Sequence, residues 1–287
     1  MKNKHFIPLL ILAMFLWGGG WSALKILTYS AELEVIIFWR FFIMSISFIP
    51  ILIFLKQPLN LNKSSLKFVI SSSILNIAFM VSSFMGVKYG SAGAGGVIIT
   101  SISPIMTFLL VYIIFKNKLS LYQVLGIFTG LVGGFILLEL NDNSLFLNGS
   151  NIYFLLCAII WAAVTLLSQH SHLHIHPVLY SFYISIIASI ITFIYAYSSN
   201  LLSIFSLSFE FWIALIYLAI LGQSVATTIY FIASAKLGSQ ITSSYMFLVP
   251  IFALFCAWLV LGEEIKAHLL IGGFLSILAV YFINKKH

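Results

Sequence analysis

Charge is what this sequence has least of. Of its 287 residues, 7% are Asp, Glu, Lys or Arg, and 62% are hydrophobic. Soluble domains carry roughly 25% charged residues. With a mean hydropathy of +1.13, the apolar surface exceeds what one soluble core can hide, so the chain belongs in a bilayer. Cysteine is also scarce. Cys157 and Cys256 lie in apolar runs and form no CxxC, which excludes a disulfide framework and leaves two small packing residues. The net charge of +7 comes without a basic patch interleaved with aromatics, so no nucleic-acid partner is expected. There is no phosphate-binding loop for ATP hydrolysis. Deep carboxylates and histidines are missing too, which leaves no catalytic set for an intramembrane enzyme and no filter or charged ring for a channel. No cofactor and no metal is expected.

What the chain has is long apolar runs. A helix crosses the hydrocarbon with about 20 apolar residues. Ten such spans are predicted, at 6–24, 35–55, 66–87, 95–115, 120–139, 151–170, 177–197, 209–234, 240–261 and 267–283. Lys2 and Lys4 ahead of the first run resemble the start of a signal peptide, but nine further spans make it a first transmembrane helix. The breaks are short and polar, at 57–67, 141–150 and 198–208. With a cytoplasmic N-terminus, ten lysines fall inside (Lys2, Lys4, Lys56, Lys63, Lys67, Lys116, Lys118, Lys236, Lys285 and Lys286) and three outside (Lys25, Lys88 and Lys266). All the acids fall outside with those three. That is a positive-inside pattern, and it predicts an even number of spans with both termini cytoplasmic.

The chain also repeats itself at half length. Lys88-Tyr89-Gly90-Ser91 has a counterpart in Lys236-Leu237-Gly238-Ser239. Ser103-Pro104 matches Val249-Pro250, and Gly126 matches Gly272 at the same offset; Trp17 can be set against Trp161. The predicted fold is therefore all-α and integral to the membrane, with residues 1–140 and 151–287 as two five-helix repeats. An odd number of helices per repeat inserts the halves in opposite directions, the arrangement that lets a site between them open to either side in turn.

The candidate functional residues follow from this frame. Trp17 and Trp21 share one face of helix 1, suited either to an aromatic or amphipathic ligand or to packing. The glycines between them let another helix approach closely. Arg40, the sole arginine, lies inside helix 2. It can pair with an outer acid such as Glu32 or Glu34, act in a gate, or receive a substrate carboxylate. Lys25 is read in the same way. Asn76, Phe79 and Ser83 form a stripe that matches Ser224, Thr227 and Phe231 across the repeat, and Thr227 shares its stripe with Tyr230. Each is either a substrate contact or an inter-helix hydrogen bond. Pro104 and Pro250 are expected to kink their helices and free the carbonyls of Thr100 and Met246, with Tyr245 nearby. Glu139 is the best candidate for energy coupling. His170, His172, His174 and His176 alternate ahead of Pro177 and read as a solvated loop. Gly126 and Gly130 form a GxxxG for close packing within the chain or in a homodimer.

Taken together, Trp17-Gly18-Gly19, Arg40-Phe41, Lys88-Tyr89-Gly90-Ser91-Ala92 with Ser103-Pro104, and Pro250 followed by Leu261-Gly262-Glu263 resemble the drug/metabolite transporter superfamily, specifically its EamA-type ten-helix members. The resemblance covers essentially the whole chain. It departs at Phe115-Lys116-Asn117-Lys118, where a Gly-Glu pair is usual, which argues against a shared role for Glu263. The resemblance implies a carrier in the cytoplasmic membrane for small organic molecules, often an exporter of amino acids or related metabolites. The expected partners are a small-molecule substrate and the lipid bilayer. Uptake of a nucleotide-like or adenosyl compound is the alternative, and a non-transporting scaffold or sensor a further one.

Overall fold

The computed structural model describes residues 6–56, 58–116, 119–137, 149–261 and 267–285. Among the described residues there is no strand. The helices are α1 (Phe6–Ser30), α2 (Leu33–Leu55), α3 (Lys63–Tyr89), α4 (Ala92–Phe115), α5 (Leu121–Leu137), α6 (Gly149–Ser171) and α7 (Pro177–Tyr195). After them come α8 (Phe209–Ile216), α9 (Thr228–Leu237), α10 (Ser239–Ser244), α11 (Val249–Leu261) and α12 (Ala267–Asn284). Among the described residues, seven stretches are long and apolar enough to cross a membrane, namely α1 to α4, α6, α7 and the continuous Phe209–Leu237. The other three predicted spans hold the shorter α5, the pair α10 and α11, and α12.

Local chemistry sets the ends. Asn62 and Ser65 form a reciprocal capping box at the start of α3, Ser91 accepts from Ala94 N at the start of α4, and Ser208 does the same for α8. Lys56 and Lys116 stop α2 and α4 in the left-handed conformation, with φ of 48° and 55°. The surface is inverted relative to a soluble protein. Large side chains such as Ile53, Phe128, Ile194 and Phe274 point outward, while many serines and threonines are buried and donate to carbonyls of their own helix.

The predicted spans at 209–234 and 240–261 are not plain α-helix throughout, the second as expected from Pro250. Tyr217–Thr227 is a π-helix, in which the Ser224 and Thr227 hydroxyls donate to carbonyls five residues back, Ala219 O and Gly222 O. Such wide turns are rare and gather at functional sites. Between α10 and α11 the chain tightens into a 3-10 turn, Tyr245–Leu248, just before Pro250. Proline lacks the N–H that a straight helix would use there. Pro104, by contrast, lies inside an unbroken α4, where Thr100 and Thr107 donate to Gly96 O and Ser103 O.

Elements of residues 6–137 pack on elements of residues 149–285. α3 packs on α6 as Phe209–Leu237 packs on α1, and α4 packs on α6 as 239–261 packs on α1; α2 lies against α7 and α5 against α12. The glycine face of α5 is taken up inside the chain. A Cβ at Gly126 would meet Ile283 and Ala279 O, and one at Gly133 would meet Gly272 O. Contacts between helix ends fall into two groups. At one end His174 stacks on Phe68, His170 on Phe115, and Lys285 lies over Tyr122. At the other, Ser199 donates to Glu34 and Tyr89 stacks on Tyr153.

Candidate functional site: an aromatic cavity between the halves

The cavity starts from the spacing on α1. Leu16, Gly20 and Leu24 follow one another four residues apart, as do Trp17 and Trp21, so all five share a broad face of the helix. That face lines a space of about 730 Å³, counting its mouth. α3 adds Phe79, Met80 and Ser83, α4 adds Ile99 and Thr100, and α6 adds Trp161. The π segment supplies Leu218, Gly222, Gln223 and Thr227; Met246, Val249 and Arg40 complete the wall. The three glycines of α1 serve close approach. A Cβ at Gly18 would come within 2.7 Å of Ala253 N, one at Gly19 within 2.6 Å of the Tyr217 hydroxyl, and one at Gly20 within 3.0 Å of Leu218. Gly96 of α4 makes room for the Trp21 ring in the same manner, at 3.1 Å.

The aromatic wall is built in two layers. Trp17 donates its indole N–H to Gly222 O at 2.9 Å, a carbonyl of the π segment, and meets Trp161 edge-on at 5.2 Å between centroids. Phe79 tilts against Trp161 at 5.1 Å. Behind them Tyr230, fully buried, packs 5.0 Å from Trp17 and 5.8 Å from Trp161. Its hydroxyl lies 3.1 Å from Thr165 Oγ1 and 3.6 Å from Met246 Sδ. Tyr230 therefore supports the wall and does not line it.

Of the sequence-derived candidates, the fold brings Trp17, Trp21, Arg40, Phe79, Ser83, Thr100, Trp161 and Thr227 into this one lining. It leaves Asn76, Tyr230 and Tyr245 out of it. Asn76 is buried and donates to Ser72 O at 2.8 Å, and Tyr245 is buried in the 3-10 turn. Lys25 is exposed, and Glu139 lies outside the described residues, as does Glu263. Of the named outer acids, neither Glu32 nor Glu34 pairs with Arg40, whose partner is an amide. Arg40 Nη2 donates to Gln223 Oε1 at 3.0 Å, and among the described residues no carboxylate forms an ion pair with it. Glu34 instead accepts from Ser199.

The comparisons with known proteins agree with this architecture. The profile of the EamA-like transporter family matches twice, over residues 6–138 and over 149–285. The chain belongs to the EamA-like transporter family. Relatives of this EamA-like transporter include the uncharacterized transporter YoaV of Bacillus subtilis, 20% identical over 95% of this chain and 94% of its own length. An uncharacterized transporter of Archaeoglobus fulgidus is 23% identical over 100% of this chain and 99% of its own. A chloroplastic WAT1-related protein of Arabidopsis thaliana is 28% identical over 69% of this chain and 50% of its own. A solved crystal structure shares the fold with a TM-score of 0.78, at 14% identity and 98% coverage of both chains. The protein is a multi-pass membrane transporter.

Several residues of the EamA-like cavity escaped the sequence reading. Gln223 and Met80 line it, and of these only Gln223 carried a signal, as a lone amide within an apolar run; Met246, singled out for its carbonyl, lines it too. A second recess lies where α1, α2 and α3 meet, lined by residues that include Glu32, Phe84 and Lys88. Phe84 links the two spaces, since the Arg40 guanidinium carbon sits 5.7 Å from its ring centroid. The four alternating histidines separate into local contacts. His170 Nδ1 is 2.9 Å from Leu166 O, His172 bonds Gln169 O, and His176 caps α7 by accepting from Val178 N.

Proposed function

We propose that this chain is a secondary carrier that moves a small organic metabolite, an amino acid or a related compound, across the cytoplasmic membrane, in the direction of export. Its ten spans act as two inverted five-helix repeats, with both termini cytoplasmic, that rock about the aromatic cavity so that it opens to each side in turn. The observation that carries this reading is the cavity itself, enclosed where α1, α3, α4 and α6 meet the π segment and walled by Trp17, Trp21, Phe79 and Trp161. The packing of the two halves on each other supports the rocking motion.

The test is saturable flux. Purified protein in liposomes is expected to carry an amino acid or related metabolite, with competition between congeners. Trp17→Ala removes a cavity wall and is expected to weaken apparent affinity by roughly tenfold or more while the variant still folds. Unsaturable flux would point to a channel, and no flux across a broad metabolite panel would point to a scaffold.

A further inference from the structure

The charge balance of the cavity specifies the ligand more closely. Arg40 is 8% exposed, so it lies within the protein rather than snorkelling to a membrane surface. An arginine has five N–H donors and no acceptor. One donor reaches Gln223 Oε1, and Arg40 Nε is buried with no hydrogen-bond partner. Because arginine can only donate, Gln223 must turn its carbonyl oxygen to the guanidinium. Its amide N–H groups then face elsewhere, and they make no hydrogen bond among the described residues. The cavity's hydroxyls give their protons to backbone, Ser83 to Met80 O and Thr100 to Gly96 O, and so turn only acceptor lone pairs to the cavity. The donors left over are those of Arg40 and the Gln223 amide. Among the described residues the lining carries one positive charge and no carboxylate to balance it.

A buried cation without a counter-charge is costly unless something else supplies the charge. α7, which packs against α2, carries no charged residue to balance it.

We propose that Arg40 and Gln223 form the headgroup site for an organic carboxylate whose apolar or aromatic body lies against the tryptophan wall. A carboxylate is acceptor-only and planar, and it matches a guanidinium edge bidentately. The ammonium of an amino acid finds no acidic partner in the lining, so the carboxylate is the required group and the ammonium is dispensable. This rests on the carrier reading and narrows it from metabolites in general to compounds that carry a carboxylate.

The experiment uses the full-length protein in detergent and four probes that share a benzyl group: phenylacetate, phenylalanine, phenylacetamide and phenethylamine. Binding is read from intrinsic tryptophan fluorescence and thermal stabilisation. Phenylacetate and phenylalanine are expected to bind, and phenylacetamide and phenethylamine to bind roughly tenfold or more weakly, the loss of one charge-assisted contact. Arg40→Gln is expected to abolish the preference for phenylacetate over phenylacetamide, and Arg40→Lys to retain part of it. Should Arg40→Gln fail to fold, Gln223→Glu supplies the counter-charge internally and is expected to exclude phenylacetate. Equal binding of the amine and the acid, undiminished phenylacetate binding by either variant, or no binding of phenylacetate at all would overturn the proposal. In proteoliposomes, saturable phenethylamine flux without phenylacetate flux overturns the carboxylate site and leaves the carrier standing. Selective phenylacetate binding without flux does the reverse.

Discussion

At the scale of single residues, the cavity depends on how two polar groups deep in the protein satisfy each other. Arg40 and Gln223 share one hydrogen bond of 3.0 Å, and each is less than one tenth exposed. Gln223→Leu leaves the guanidinium buried without an acceptor and is expected to cost about 1.5–3 kcal/mol. Arg40→Met added to Gln223→Leu removes the stranded charge and is expected to recover most of that loss. A double-mutant cycle followed by thermal unfolding in detergent measures the coupling. Arg40 was conspicuous in the sequence as the only arginine, yet its partner was not. Any of the acids at the same membrane end had equal claim by charge alone, whereas an amide one hundred and eighty-three positions away becomes a neighbour only when α2 meets the π segment. Tyr230 shows the converse. Its helical stripe put it with Thr227, but Trp17 and Trp161 stand in front of it.

At the scale of elements, glycines fix how closely helices approach. A Cβ at Gly18 would meet the α11 backbone at 2.7 Å, an atom that cannot turn aside. Gly18→Ala is expected to destabilise by about 1–3 kcal/mol or more. Gly93 of α4 has nothing within 4 Å of the same built atom. Gly93→Ala is expected to be neutral to stabilising, by up to about 1 kcal/mol, through helix propensity. Thermal unfolding of the two variants side by side checks the contrast. α7 carries a titratable cap. Burial and the nearby Lys236 hold His176 below its ordinary value of 6.5, so the folded state favours the neutral ring that accepts from Val178 N. The unfolded chain then binds more protons as the pH falls. The stability this cap adds is present above about pH 6.5 and is lost progressively below it, down to the folded value. His176→Asn keeps a capping acceptor without titrating, so the acid slope of the melting temperature is expected to flatten. Helix positions were readable from apolar runs, because burial in lipid demands length and hydropathy and little else. The π turns were not, nor was the 3-10 form of the kink expected at Pro250. Their hydropathy is that of any span, and what widens or tightens them is a hydroxyl, a proline and the helices packed beside them.

At the scale of the whole molecule, orientation is the first thing to test. Single cysteines at Asn60 and Ser199, in a background lacking Cys157 and Cys256, lie at opposite ends of the bundle. An impermeant thiol reagent on intact cells is expected to label Ser199→Cys and to spare Asn60→Cys until the membrane is opened. The reverse pattern would invert the topology. By itself the sequence determined the solvent, since 7% charge and 62% apolar residues leave no alternative to a bilayer. It also determined most helix positions and the family, both of which reside in composition and spacing along one dimension. Tertiary structure alone decided which of the scattered polar and aromatic residues share one cavity, that Tyr230 stands behind its wall, that the π turns present Gln223 to Arg40, and that the glycine face of α5 is taken up within the chain. That face meets α12 through Gly126 and Gly133, and Phe247 and Ser101 through Gly130 and Gly134. Most of these are contacts between residues far apart in the chain. They are set by where helix faces meet, and no periodicity within a single helix encodes its neighbour.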